Sequence, residues 1–289
     1  MLFRSDYYQK VDNFLSSAAP AQKEATSDVD MNIPVTKQTK TSAYALVIGN
    51  EDYASFQTGF SQEVNVAFAI NDAKVFAQYC TKTLGIPERQ IKILTNATAA
   101  QMKQGLAWIA DLAAVENGNA ELIFYYSGHG LPHQTTREAH LMPVDVGGGQ
   151  IEMAIPLAEV YAALGKNPVK RNLVFLDACF SGGARNQALL TAKTVRLKPK
   201  ETSSQKNTLT FSSSSGEESS GVFTEKQHGF FTYFLLKKIQ ETNGNCTFGE
   251  LYDYLNKNVL KETILTGKKQ SPGVLAPAET ADKWKQWIF

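Results

Sequence analysis

His129 and Cys179 stand fifty residues apart, and each follows an apolar run. The first run is Leu122-Ile123-Phe124-Tyr125-Tyr126, continued by Ser127-Gly128-His129-Gly130. The second is Leu173-Val174-Phe175-Leu176, continued by Asp177-Ala178-Cys179-Phe180-Ser181-Gly182. Short apolar runs that stop at small and polar residues read as buried strands. In a parallel sheet, functional groups gather beyond the carboxyl ends of the strands. Two neighbouring strands ending this way would set an imidazole beside a thiol, the minimum apparatus of a cysteine nucleophile. Glycines on both sides of His129 let backbone approach a substrate closely. The N–H groups of Gly130 and Cys179 are the natural donors to a developing oxyanion.

Two acids accompany the pair. Asp177 is a charge at the end of an otherwise buried strand, and Asp72 interrupts the apolar face of a helix. A solvated helix charge is the ordinary reading of Asp72; the alternative turns it into the cleft beside Asp177. A zinc set of His129, His133, His140 and Cys179 is disfavoured, because Pro132 breaks the helix that the i, i+4 histidines would need. Neither GxxxxGK[ST] nor GxGxxG follows any strand, which argues against nucleotide binding.

The elements that must position these residues alternate. A first strand spans Tyr44 to Asn50. A helix follows, with Val66, Ala69, Ile70, Ala73, Phe76, Ala77 and Cys80 on one face, closed by Gly85 and Pro87. Ile91 to Thr95 is a second strand and 98–116 a second helix. After the His129 strand comes an expected hairpin near Leu141 to Val144, then a helix behind Pro156 and the Cys179 strand. Thr208 to Ser212 is a further strand, Phe230 to Ile239 and Phe248 to Val259 are amphipathic helices, and Gly273 to Ala276 is a last strand. Alternation of this kind predicts one α/β domain, with helices on both faces of the sheet.

Residues 1–41 stand apart. Phe3, Tyr7, Val11 and Phe14 predict a short amphipathic helix, and Ala18 to Lys40 reads as a linker or an arm over the domain, a candidate prosegment. The stretch 183–206 breaks the pattern with six basic residues and one acid, and reads as an exposed, mobile loop.

The 289 residues are 43% hydrophobic and 20% charged with a net charge of +1, an ordinary globular composition that does not point to nucleic acid or a membrane surface. No apolar run is long enough to span a bilayer. Three cysteines without a CxxC pair indicate neither a disulfide framework nor a zinc knuckle and suit a reducing, cytoplasmic setting.

In order, Tyr44 to Asn50, Asn71-Asp72-Ala73, Tyr126 to Gly130, Asp177 to Gly182 and Gly221-Val222-Phe223-Thr224 resemble the landmarks of the caspase-fold cysteine peptidases, and among them the metacaspase-like bacterial members. The likeness covers roughly residues 42–276. The spacing from His to Cys also agrees with that family. The resemblance implies a caspase-like (caspase-hemoglobinase) fold with a mostly parallel six-stranded sheet, in a peptidase domain over 42–289. It implies Cys179 as nucleophile, His129 as acid–base partner, and Gly130 and Cys179 N–H groups as oxyanion hole. It further implies an S1 pocket of Asp72, Ser127 and Asp177, with Glu217 and Glu218 as further candidates for its wall.

Two carboxylates in a partly dry cleft favour a cation, so cleavage after Arg, then Lys, is expected rather than after Asp. The basic loop lies where family members carry a processing loop, so Lys193, Arg196, Lys198 and Lys200 are candidates for self-cleavage, with Lys37 and Lys40 as others. Calcium-dependent relatives carry paired Asp residues after the His strand; Ile151-Glu152-Met153-Ala154-Ile155 lacks them, and no calcium requirement or other cofactor is expected. The expected substrate is a polypeptide and the expected state a monomer. The rival readings are a catalytically silent interaction module on the same fold and a cysteine hydrolase of another amide bond.

Overall fold

The structure is a computed structural model that describes residues 27–180, 207–214, 218–267, 269–280 and 282–289. The helix expected over 1–15, the loop 183–206 with its four candidate cleavage sites, and Glu217 lie outside the described residues.

Eleven strands are described, in chain order β1 (Ala43–Gly49), β2 (Ile91–Thr95), β3 (Glu121–Ser127), β4 (Gly130–Pro132), β5 (Ala139–Leu141), β6 (Ile155–Pro156), β7 (Arg171–Asp177), β8 (Thr208–Ser212), β9 (Val222–Phe223), β10 (His228–Gly229) and β11 (Gly273–Leu275). The helices are α1 (Ala69–Lys82), α2 (Ala99–Val115), α3 (Leu157–Leu164), α4 (Phe230–Thr242) and α5 (Phe248–Leu265). The main sheet runs β11-β8-β7-β3-β1-β2; only the β8–β11 pair is antiparallel. This is the mostly parallel six-stranded sheet expected from the sequence.

Both faces of the sheet are covered, so its central strands are apolar on both sides. Ala45, Val47, Ile123, Tyr125, Leu173 and Phe175 pack with α1, α4 and α5. The residues between them, Leu46, Ile48, Leu122, Phe124, Val174 and Leu176, pack with α2 and α3. The period of two therefore decides which helices each strand-end residue can meet. Thr98 with Gln101 and Thr247 with Glu250 close capping boxes at the starts of α2 and α5.

Two local expectations shift. The first helix begins at Ala69 rather than near Val66, because Phe68 is left-handed (φ 69°) and Val66 N–H is bonded to the Glu51 carbonyl. The hairpin near residue 141 forms earlier, between β4 and β5, and β6 completes a small antiparallel sheet. Gly221 to Thr224 lies ahead of the penultimate helix α4: Val222 and Phe223 pair with β10, and His228-Gly229 immediately precedes α4.

From Ser27 the amino-terminal arm is a strap on the domain. Val29 and Ile33 are buried in the core under α1 and α4. Tyr79 and Thr83 hydroxyls donate to the Val29 and Pro34 carbonyls, both at 2.7 Å, and Gln240 Nε2 reaches the Asp28 and Met31 carbonyls. Lys40 N–H is bonded to the Gly85 carbonyl at 2.8 Å. Among the described residues no helix is long and apolar enough to cross a membrane.

Candidate active site

Register builds the site. Ser127 and Asp177 are the last paired residues of the neighbouring parallel strands β3 and β7. His129 and Cys179 each lie two residues further on, so the adjacent strand ends deliver both to the same level of the sheet. Ser127 and Asp177 also share the alternation of Tyr125 and Phe175, and so face α1 and α4. Asp72 comes from α1 to meet them, and Thr232 from the first turn of α4.

His129 is gripped from several directions. Its N–H donates to the Tyr53 hydroxyl at 3.0 Å, and its carbonyl accepts from the Tyr126 hydroxyl at 2.7 Å and from Met142 N–H. The imidazole Nε2 lies 2.6 Å from the Val64 carbonyl. A carbonyl only accepts, so Nε2 carries the proton there, and Nδ1 is the ring nitrogen able to take one. Asn50 holds the neighbouring turns by accepting from Ala97 N–H and donating to the Met142 carbonyl.

Cys179 is buried. Its sulfur accepts from Ser220 N–H and lies 3.7 Å from the Ser220 carbonyl. The described state thus keeps the thiol beneath Ser220. Phe180 turns over Gly130, where an added Cβ would meet the Phe180 ring at 2.6 Å and the Cys179 carbonyl at 3.0 Å; only glycine fits this approach. Burial pushes the Cys80 and Cys246 thiols up, which keeps both protonated and unreactive.

The segment over the thiol is latched by Gln270. Its Nε2 donates to the Ser213 carbonyl at 2.9 Å and its Oε1 accepts from Gly221 N–H at 2.7 Å. Ser213 and Ser220 hydroxyls bond to each other. Glu218 adds to this latch, accepting from Ser271 N–H and hydroxyl with Lys269 at 3.4 Å. Gln270→Ala strands a buried carbonyl and N–H, and is expected to cost about 2 kcal/mol in denaturant unfolding. It should also speed iodoacetamide labelling of Cys179 in the folded protein; unchanged labelling would show that Gln270 does not hold the cover.

The acids converge on Gly229. Asp177 Oδ2 accepts from Thr232 N–H at 3.2 Å and Oγ1 at 2.8 Å, filling the start of α4 where no side chain of its own caps it. The same oxygen would lie 2.2 Å from a Cβ on residue 229. Asp72 is buried rather than solvated, against the ordinary reading of a helix charge. It accepts from Ser127 Oγ at 3.0 Å and from Gly229 N–H at 3.2 and 3.3 Å.

His228, which the sequence did not single out, completes the cluster. Nδ1 is 2.7 Å from Asp72 and Nε2 is 2.8 Å from Asp30 on the strap. Burial opposes its charge, but the two carboxylates outweigh that and lift its pKa from 6.5 to about 9. The gain is complete below about pH 6.5 and is lost as pH rises through 9. Stability should therefore decline over that window by on the order of 3 kcal/mol. Thermal unfolding at stepped pH measures it, and Asp30→Asn should flatten the slope; an equal slope in the variant would refute the linkage.

A cavity of about 770 Å³ opens at the opposite end of the sheet, lined by Ala43, Glu121, Arg171 and Phe289. Among the described residues no group of three His, Cys, Asp or Glu side chains is placed to hold a metal ion.

Residues 42–282 match the family model of the caspase domain, peptidase family C14. The chain belongs to the caspase-domain family, a family of cysteine peptidases whose substrates are polypeptides. A crystal structure of a Geobacter sulfurreducens protein has the same fold, with a TM-score of 0.59 at 19% identity over 85% of this chain and 97% of that one. No curated protein matches the sequence.

Proposed function

We propose that the chain is a cysteine endopeptidase that cuts after Arg, and less well after Lys, with Cys179 as nucleophile and His129 as acid and base. The observation that supports the reading is the Ser127–Asp177 register, with His129 and Cys179 each two residues beyond it at adjacent strand ends and the two acids against Gly229. His129 Nδ1 takes the thiol proton while Val64 holds Nε2–H. The thiolate adds to the peptide carbonyl carbon, and Gly130 and Cys179 N–H groups donate to the resulting oxyanion. Collapse breaks the C–N bond, the amine leaves with the proton from His129, and an acyl-enzyme remains. Water, deprotonated by His129, then releases the carboxylate product and the thiol. Asp72 and Asp177, with Ser127, attract the guanidinium of the residue before the cut. Calcium has no assigned part.

The test is hydrolysis of matched fluorogenic peptides with Arg, Lys or Asp before the reporter, wild type against Cys179→Ala, with calcium or a chelator. Cleavage after Arg that vanishes in the variant supports the reading. Cleavage after Asp would remove the pocket assignment. Activity restricted to the calcium lanes would contradict the metal-free mechanism.

The loop 183–206 follows the nucleophile directly, and Lys193, Arg196, Lys198 and Lys200 suit the same preference. Self-processing there is expected. Intact masses of wild type and Cys179→Ala after incubation should differ by cuts behind these residues, and equal masses would discard the idea.

A further inference from the structure

We propose that His228 is a positioning residue of the basic-residue pocket, a cationic clamp that fixes Asp72 and ties the pocket to Asp30 of the amino-terminal strap. The inference rests on the reading of Asp72 and Asp177 as that pocket.

Both ring nitrogens of His228 face carboxylate oxygens, Asp72 Oδ1 at 2.7 Å and Asp30 Oδ1 at 2.8 Å. Ionised carboxylates only accept, so both nitrogens must be donors, and only the imidazolium meets that demand. The ring has no exposed surface. The charged groups on the ring are Asp72 from α1 and Asp30 from the strap; Asp177 lies against the next residue, Gly229, and Asp28 on the strap holds Lys226 from the same turn and Lys237 from α4. The two lysines are held on Asp28, each at 2.8 Å, and among the described residues His228 is the cation paired with Asp72. Asn71 Nδ2 donates to the Gln227 carbonyl at 3.0 Å and steadies the turn that presents the ring.

The clamp has two effects on the pocket. Asp72 is bound on Oδ1 by His228, on Oδ2 by Ser127, and on both by Gly229 N–H, so it cannot swing. Pairing with an imidazolium offsets part of its charge, so the clamp helps a substrate cation by holding the carboxylate in one place, an effect of geometry that has to outweigh the charge it offsets. Loss of the His228 proton would leave one nitrogen without its hydrogen bond and release one of the two acids. Recognition of Arg should thus weaken as pH rises, and sooner when Asp30 is neutral.

Asp30→Asn tests this outside the catalytic machinery, since asparagine keeps an oxygen for Nε2–H but removes the charge. With an Arg peptide, KM should match wild type at pH 6 and exceed it by about fivefold at pH 8.5, kcat staying within about twofold, and Asp30→Glu should restore the wild-type profile. The chain has four histidines, so the His228 ring resonance can be assigned by its loss in His228→Gln. In a Cys179→Ala background its titration midpoint should drop on Asp30→Asn. Wild-type cleavage after Arg with an unmoved KM profile or an unmoved midpoint in Asp30→Asn would overturn the clamp alone. Failure of wild type to cut after Arg or Lys would overturn the pocket reading, and the clamp's role with it.

Discussion

His129→Ala is expected to lower kcat/KM on an Arg peptide by roughly four orders of magnitude, mostly in kcat. The magnitude follows from what the imidazole does. In the proposed mechanism it removes the thiol proton before attack and returns one to the leaving amine, and nothing else in the described site is arranged for both. His228 has both nitrogens committed to carboxylates. His133 Nδ1 accepts from Thr135 and Thr136 N–H on the β4–β5 hairpin. Residues that act as one unit are not additive, so His129→Ala with Cys179→Ala should fall no further than Cys179→Ala alone. The fold should survive, since losing the bond to the Val64 carbonyl costs about 1–3 kcal/mol and the backbone bonds of residue 129 to Tyr53, Tyr126 and Met142 remain. Steady-state kinetics beside a thermal melt separate the two effects. A folded His129→Ala protein retaining a tenth of wild-type activity would send the search to another base.

Neutralising the acids is the second large effect. Asp177→Asn should reduce kcat/KM for an Arg peptide by about 10²–10³-fold, because truncating one partner of a desolvated charge pair costs about 2–5 kcal/mol. The substitution is nearly isosteric, and its Oδ1 can still accept from Thr232, so the start of α4 should hold. Asp72→Asn should cause a similar loss and also destabilise the protein, because His228 is left buried with a single carboxylate, Asp30. Cleavage of an otherwise identical peptide with a neutral residue before the cut should be spared in Asp177→Asn. If both peptides lose activity equally, Asp177 positions the loop of the nucleophile rather than reading the substrate.

Strands β3 and β7 were legible because their apolar runs end abruptly, and the chemistry at those ends is local in sequence. The alternation of faces then carries Ser127 and Asp177 to the side of α1 and α4, a step the sequence alone leaves open because it does not say which helix covers which face. Asp72 shows the same gap: one charge on a helix face is ambiguous until the neighbouring strand end is known. Val64, Tyr53, Ser220, Thr232 and Gln270 reach the site from remote turns and helices, and no spacing ties any of them to His129 or Cys179. His228 had one usable signal, a His-Gly pair immediately before the apolar run that starts α4. The start of α1 is hidden in the sequence, because nothing in Val66-Ala67-Phe68 announces a left-handed residue.

The likeness to the family begins at residue 42, yet packing draws the boundary earlier. A chain trimmed to start at 42 would lose Val29 and Ile33 from the core, each worth about 1.5–3 kcal/mol of burial. It would uncover apolar surface on α1 and α4, strand Lys226 and Lys237 without Asp28, and leave His228 with Asp72 alone. Such a fragment would be prone to aggregate, and an assay on it would misreport the enzyme. The folded unit therefore begins no later than Ser27, and the strap is as much a part of the caspase domain as the sheet it crosses.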